Sequence, residues 1–423
     1  VAPVLVLLSL LATAVALVAP PAVAPAHAAG TPVMGRSVVS AADLAGWFRS
    51  TGKTSRATVA IDELARYYVE EGAAEGVAGD IAFAQSIVET GYFTFSARVP
   101  PELNNFSGLG AVDSGTTAEA FPDARTGVRA QIQHLRAYAD ATVTEADLAH
   151  PLVDTRFALV RPKGRAPTWE QFGGGVWATD PDYAGKVLRI RQEIMQWGRR
   201  YGTARFAPFA GPGPLARQVF RDVLFREGTA GEITLWETAM RVGSVTPELF
   251  VAELFRGEGA GTVQPVTRLY FATLGRAPDR GGLAYWTNRR KAGVPLAALG
   301  AQVMASREFE ARFGAPDDAA FVNLLYRNVL GRDADLAGRT YWVDVLASRR
   351  MTRAAVLLWF SESPENVART AASVESTVLH LGLVLALPTA EERADWSTAR
   401  AGGARLDALA LDLLVDDRYF ARF

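Results

Sequence analysis

No cysteine occurs anywhere in the 423 residues. This excludes disulfides, cysteine-held metals and thiol nucleophiles, and leaves the fold to rest on core burial alone. Histidine is nearly as scarce, with four copies; His134 has no second histidine at metal-ligand spacing and reads as structural. An excess of charge of one sign is missing too. The 44 basic and 45 acidic residues leave a formal net charge of −1, which supplies no global field for nucleic acid or an anionic membrane, and neither is an expected partner. The chain also lacks HExxH, a glycine-rich phosphate loop ending in Lys-Ser/Thr, and Gly-x-Ser-x-Gly. Metalloprotease, nucleotide-binding and serine-hydrolase chemistries therefore lack their minimal residues, and no cofactor or metal is expected.

Hydrophobic residues make up 49% of the chain, enough at this length for two or more cores. The one long apolar run, from Val4 to Val18, leads through a Pro-Ala-rich stretch to Ala26-His27-Ala28. Residues 1–28 read as a secretory signal with an Ala-x-Ala cleavage site, although no Lys or Arg precedes Arg36. The run is short for a stable membrane span, so a secreted, extracellular or wall-associated protein is expected, with no stable span after cleavage.

The most informative chemistry lies in Gln85-Ser86-Ile87-Val88-Glu89-Thr90-Gly91-Tyr92. Ile81, Ala84, Val88 and Phe95 follow helical spacing, and Gly91 is the expected stop. Glu89 is thereby left at a helix end, with aromatic residues and Asn104-Asn105-Phe106-Ser107-Gly108 as candidate neighbours. A lone Glu near a helix end is more often merely solvated. In this context it reads instead as a general acid, which needs a partly desolvated site to stay protonated near neutral pH.

The block from Asp80 to Gly91, followed by Asn104 to Gly110, resembles the bacterial glucosaminidase domain of glycoside hydrolase family 73, whose autolysin-type members cut peptidoglycan. The resemblance continues through Phe121-Pro122-Asp123-Ala124-Arg125-Thr126-Gly127-Val128, Gln133-His134-Leu135, Trp169 and Trp177 to Tyr183. It implies a lysozyme-like α+β domain with a small second lobe over residues 33–200, in a mainly α protein. It makes Glu89 the catalytic acid for hydrolysis of a β-1,4 bond after N-acetylglucosamine, with peptidoglycan glycan strands as the partner.

A second carboxylate varies in position within the family, and the candidates are Asp113, Glu119 and Asp123. Asp113 is favoured because Gly110 and Gly115 suggest an open loop, whereas Asp123 has the context of a helix cap. Tyr183 matches a family position beside the acid, although Tyr183, Val187, Ile190, Ile194 and Trp197 also trace one packing face. Substrate contacts are expected from Gln85, Tyr92, Asn104, Asn105, Phe106, Gly108 and Trp177, with Trp169 as a further sugar-stacking wall. Inverting, retaining and substrate-assisted routes all stay open, because chain spacing does not give carboxylate separation.

A Pro-Gly cluster within residues 201–215 reads as a linker. Beyond it, Leu269-Tyr270…Leu274-Gly275-Arg276 with Asp279, Gly282 and Tyr285-Trp286 recurs as Leu325-Tyr326…Leu330-Gly331-Arg332 with Asp335, Gly338 and Tyr341-Trp342. Trp236, Trp286, Trp342 and Trp396 fall 50, 56 and 54 residues apart. Four all-helical units are expected, at 216–260, 261–314, 315–372 and 373–423, stacked as modules. They resemble the phycobilisome-linker-like repeat known as domain of unknown function 4214.

Gly275 and Gly331 read as helix C-caps and the two aspartates as N-caps, a role favoured over calcium binding. In the weaker copies Phe225 replaces the glycine, and Thr229 and Thr389 replace the aspartate. The repeats carry no recurring acid/base set and suit a spacer, or a surface for wall polymer or protein that concentrates the enzyme on insoluble substrate. An amidase-type wall hydrolase and a noncatalytic wall-binding protein are the alternatives to a glucosaminidase.

Overall fold

A computed structural model describes residues 30–111 and 118–423. The expected signal segment and Asp113 lie outside these residues. The first domain is built from α1 (Ala41–Ser50), α2 (Ile61–Glu75), α3 (Gly79–Thr90), α4 (Ala124–Ala139) and α5 (Tyr183–Tyr201), joined by loops and short 3-10 turns. The mainly α class is as expected. Among the described residues the β component is reduced to two isolated bridges, Pro32 with Thr168 and Met34 with Val77.

Helix α3 runs through the middle of this domain. Ile81, Ala82, Phe83, Ala84 and Ile87 are buried, and α2, α4 and α5 all pack on it. The apolar stripe that the spacing announced is therefore wider than one face. Even Asp80, Gln85 and Ser86 are enclosed, so each needs a polar partner inside the protein.

The second half is a succession of four helical units. The first is α6 (Pro212–Leu224), α7 (Ala230–Arg241), α8 (Pro247–Arg256) and α9 (Glu258–Gly261). The second is α10 (Val263–Leu274), α11 (Arg280–Lys291), α12 (Leu296–Met304) and α13 (Arg307–Phe313). The third has α14 (Asp318–Leu325), extended by a π-helical turn at Tyr326–Leu330, then α15 (Leu336–Ala347) and α16 (Arg353–Ser361). The fourth has α17 (Pro364–Leu379), extended by another π turn at His380–Val384, then α18 (Ala390–Ala401), α19 (Leu406–Leu414) and α20 (Asp417–Phe420).

The chain leaves the first helix of every unit through a left-handed residue: Phe225 (φ 52°), Gly275 (φ 62°), Gly331 (φ 69°) and Leu385 (φ 58°). The two non-glycine copies hold this conformation against a steric cost of about 1–2 kcal/mol each. Four residues later comes the N-cap of the next helix. Asp279 and Asp335 accept from the backbone N–H of Gly282 and Gly338, both at 2.8 Å. Thr229 and Thr389 form capping boxes with Glu232 and Glu392. Both aspartates are thus occupied as caps.

The units are not stacked in chain order. α12 packs on α16, pairing the second unit with the third, and α8 packs on α19, pairing the first with the fourth. Asn328 donates to the Ala272 carbonyl at 3.0 Å across one pair, and Arg422 bonds Asp222 at 2.7 Å across the other. A linear array places contacts only between successive repeats. Here the last unit returns to the first, and this closure carries the C-terminal helices to the first domain.

There Arg191 of α5 pairs with Asp417 at 2.6 Å, Gln196 donates to Asp412 at 2.7 Å, and the buried Arg199 donates to the Leu414 carbonyl at 2.7 Å. Leu411 and Val415 join the first domain's own hydrophobic cluster. The proposed linker is likewise packed: Phe209 lies edge-on to Phe423, their rings 4.7 Å apart, and Pro212 sits in the first turn of α6. The linker is therefore a packed, braced joint. Leu411→Ala, at a side chain only 1% exposed, is expected to cost about 2–5 kcal/mol. Thermal denaturation checks this, and an unchanged midpoint would count against the brace.

Candidate active site

Glu89 stands in the last turn of α3, where Gly91 (φ 59°) caps the helix and donates to the Ile87 carbonyl. The chain then makes an unusual turn, with Tyr92, Phe93 and Phe95 also at φ between 55° and 61°. Such a run costs about 1–2 kcal/mol per non-glycine residue and survives only where packing over-determines it. Phe93 supplies the anchor, buried among Phe48, Phe83 and Phe106. Phe93 N–H donates to Thr90 Oγ1 at 2.9 Å, and Phe95 N–H to the Thr90 carbonyl at 2.9 Å.

This turn forms one wall of an open cavity of about 240 Å³, lined by Glu89, Thr90, Gly91, Thr94, Phe95, Ser96, Val99, Asn105 and Gly108. Gly108 (φ 66°) faces the acid, and a Cβ there would come within 3.7 Å of Glu89 Oε2. The opposite oxygen, Oε1, is gripped from the other side. It accepts from Trp177 Nε1 at 2.8 Å and from the Tyr183 hydroxyl.

Burial pushes the Glu89 carboxyl above the usual glutamate range, and the two donors only partly offset it. Burial and the adjacent Glu89 push the Tyr183 phenol well above its ordinary value, so it is a donor at any ordinary pH. With both donors on Oε1, neither of its lone pairs is free to carry the acid proton. A neutral Glu89 therefore holds its proton on Oε2, on the Gly108 side.

Trp177 is itself held by an aromatic column. Its ring lies against Phe172, Tyr138 and His134, with centroids 5.4–5.7 Å away, and His134 Nδ1 bonds Asp154 at 2.8 Å. Tyr183 packs as the helical face suggested, buried with Val187, Ile190 and Ile194. Packing and hydrogen bonding coexist in this one side chain.

Several expected substrate contacts turn inward instead. Phe106 is fully buried and belongs to the core around Tyr68, Phe93 and Phe95. Asn104 is 6% exposed and donates to the Phe121 carbonyl at 3.1 Å. Asn105 borders the cavity, but its amide is spent on the Leu109 and Glu119 carbonyls and on the Ser107 and Leu109 N–H groups. Gln85 is fully buried and reaches Tyr183 at 2.9 Å. Tyr92 stacks beside Trp47 with Lys53 over its ring, off the cavity wall. Trp169 is a core residue stacked on Phe172. Asn104 and Asn105 satisfy the loop backbone that shapes the cavity, whereas Phe106 and Trp169 fill the apolar core.

Of the candidate second carboxylates, Asp123 caps α4 by accepting from Thr126 N at 2.8 Å. Glu119 lines a separate cavity with Phe121, Pro122, Thr126 and Val153. Asp113 is outside the described residues. Sequence reading missed Thr94, Phe95, Ser96 and Val99, which line the cavity, because nothing local announces a left-handed turn at Tyr92 and Phe93.

Residues 65–196 match the family model described as mannosyl-glycoprotein endo-beta-N-acetylglucosaminidase, and residues 301–370 match Domain of unknown function (DUF4214). An uncharacterized protein of Borreliella burgdorferi is 37% identical over 137 residues, which cover 32% of this chain and 64% of that protein. The chain thus spans less than two thirds of that relative's length. No solved structure matches. The matched stretch contains all of α3 and α4 and most of α5, so Glu89, Trp177 and Tyr183 lie within it. Residues 65–196 are thus similar to the mannosyl-glycoprotein endo-beta-N-acetylglucosaminidases, a family of glycoside hydrolases.

Proposed function

We propose that the protein is an exported peptidoglycan hydrolase that cleaves the β-1,4 bond after N-acetylglucosamine. The observation that carries this reading is the asymmetric hold on Glu89: Oε1 between Trp177 and Tyr183, Oε2 toward Gly108 at an open cavity. In this mechanism the neutral acid gives its Oε2 proton to the glycosidic oxygen as positive charge builds on the sugar ring. The resulting carboxylate is then stabilised by donors already in place, with no reorganisation at the moment of bond cleavage. Mass spectrometry of a muropeptide digest tests the assignment. New reducing-end N-acetylglucosamine supports it; free stem peptide would indicate an amidase, and an unchanged wall a binding protein.

Activity should fall on the alkaline side as Glu89 ionises. Because burial raises its pKa, that fall is expected above the ordinary glutamate range. A kcat/KM profile on a soluble chitooligosaccharide checks the direction.

Asp113 is proposed as the helper carboxylate. Asp113→Asn is expected to lower the rate at least about tenfold, toward the lower range for a positioned acid or base. Asp123→Asn should stay within about twofold, since asparagine caps a helix as well as aspartate does. Equal losses would remove Asp113 from this role.

A further inference from the structure

The proton position on Glu89 is determined further back, inside the helical core. The Tyr183 hydroxyl has one proton and two neighbours, and because Gln85 Nε2 donates to its oxygen at 2.9 Å, Gln85 offers no acceptor and that proton goes to Glu89. A glutamine amide can present either end, so something must hold this one nitrogen-outward. Gln85 Oε1 accepts from Gln131 Nε2 at 2.8 Å. Gln131 Nε2 also donates to the Ala82 main-chain carbonyl at 3.1 Å, and Gln131 Oε1 accepts from the Tyr68 hydroxyl at 2.7 Å. Tyr68, Gln85 and Gln131 are all fully buried.

One member of this chain has no choice of role. The Ala82 carbonyl can only accept, so the end of Gln131 facing it must be the NH₂ group. That choice makes Gln85 present its oxygen to Gln131 and its nitrogen to Tyr183, which leaves the phenolic proton pointing at Glu89. We propose that Gln131, oriented by the Ala82 carbonyl, is a positioning residue whose relay through Gln85 and Tyr183 keeps the acid proton of Glu89 on Oε2. Every bond in the relay runs in one direction, so each donor is polarised by the one behind it. Tyr68 completes the hydrogen bonding of Gln131 but does not decide its orientation.

The proposal rests on Glu89 being the acid, and its test separates the two ideas. Gln131→Leu and Gln131→Met remove the orienting amide while keeping an apolar side chain of similar length. Gln85 is then free to turn its oxygen toward Tyr183, and the neutral carboxyl can place its proton on either oxygen. Both variants are expected to lose about tenfold to a hundredfold in kcat, below the full loss of a direct transition-state donor, and to move the alkaline limb of kcat/KM to higher pH. Tyr68→Phe is expected to change kcat by no more than about threefold, in the range of one neutral hydrogen bond.

Titration of ¹³C-labelled glutamate, with the Glu89 signal assigned through Glu89→Gln, reads the carboxyl without using activity. It should rise in the two Gln131 variants and stay put in Tyr68→Phe, with circular dichroism confirming the fold of each protein. An unmoved Glu89 titration in folded Gln131→Leu and Gln131→Met would overturn the relay. So would an effect of Tyr68→Phe equal to theirs. Glycan cleavage retained by Glu89→Gln would overturn the acid assignment instead, whatever the titration shows.

Discussion

Glu89→Gln is expected to reduce glycan cleavage at least about a hundredfold while leaving the fold intact, because loss of a general acid costs 10²–10⁴ in rate. The geometry explains why this substitution is clean. The amide oxygen can keep the Trp177 and Tyr183 bonds now made by Oε1, and the NH₂ group occupies the place of Oε2. Shape and hydrogen bonding are retained, and only the transferable proton is lost.

A paired stability measurement follows from the pKa direction. The folded-state pKa of Glu89 is raised above its unfolded value, so the folded form binds the proton more tightly. The stability tied to that proton is full below the unfolded pKa and is lost as pH rises through the folded one. A glutamine does not titrate. The variant's melting midpoint at neutral pH should therefore equal or exceed the parent's while its activity is gone. Retained cleavage would move the acid elsewhere, and a collapsed midpoint would turn the activity loss into a folding defect.

Tyr183→Phe is the second large effect. The ring still fills its place beside Val187 and Ile190, so packing is kept, but Glu89 loses one of its two donors and Gln85 loses its acceptor. The expected result is a fall in kcat of about tenfold to a hundredfold, at or below the range for removal of one preorganised donor. The alkaline limb should shift to higher pH, because the ionised acid is less well stabilised. Comparing the pH profiles of the phenylalanine variant and the parent checks both parts. A lower amplitude with an unmoved limb would reduce Tyr183 to a packing residue.

The braced joint changes what the repeats contribute. A flexible tether raises local substrate concentration and leaves the catalytic fold alone. Here α19 and α20 lie on α5, whose first residue is Tyr183, and Asp417 neutralises the buried Arg191. The fourth unit therefore supports the helix that presents the donor to Glu89.

Local rules carried much of this protein. The general-acid candidate, the Gly91 stop, the Asp123 cap and the helix caps at Asp279, Asp335, Thr229 and Thr389 were all legible from residues a few positions apart. Helical periodicity, capping and self-similarity are properties of short segments, and a sequence displays them directly. Which side chains face the cavity was settled elsewhere. Asn104 and Phe106 sit in the right motif and point into the protein, while the donors to Glu89 come from 88 and 94 residues away. The return of the fourth unit to the first, and the choice of amide end at Gln131, likewise depend on partners brought together only by packing. A segment sets its own conformation within three or four residues, but burial and hydrogen-bond partnership belong to the whole chain, because every enclosed polar group must find its match wherever the fold delivers one.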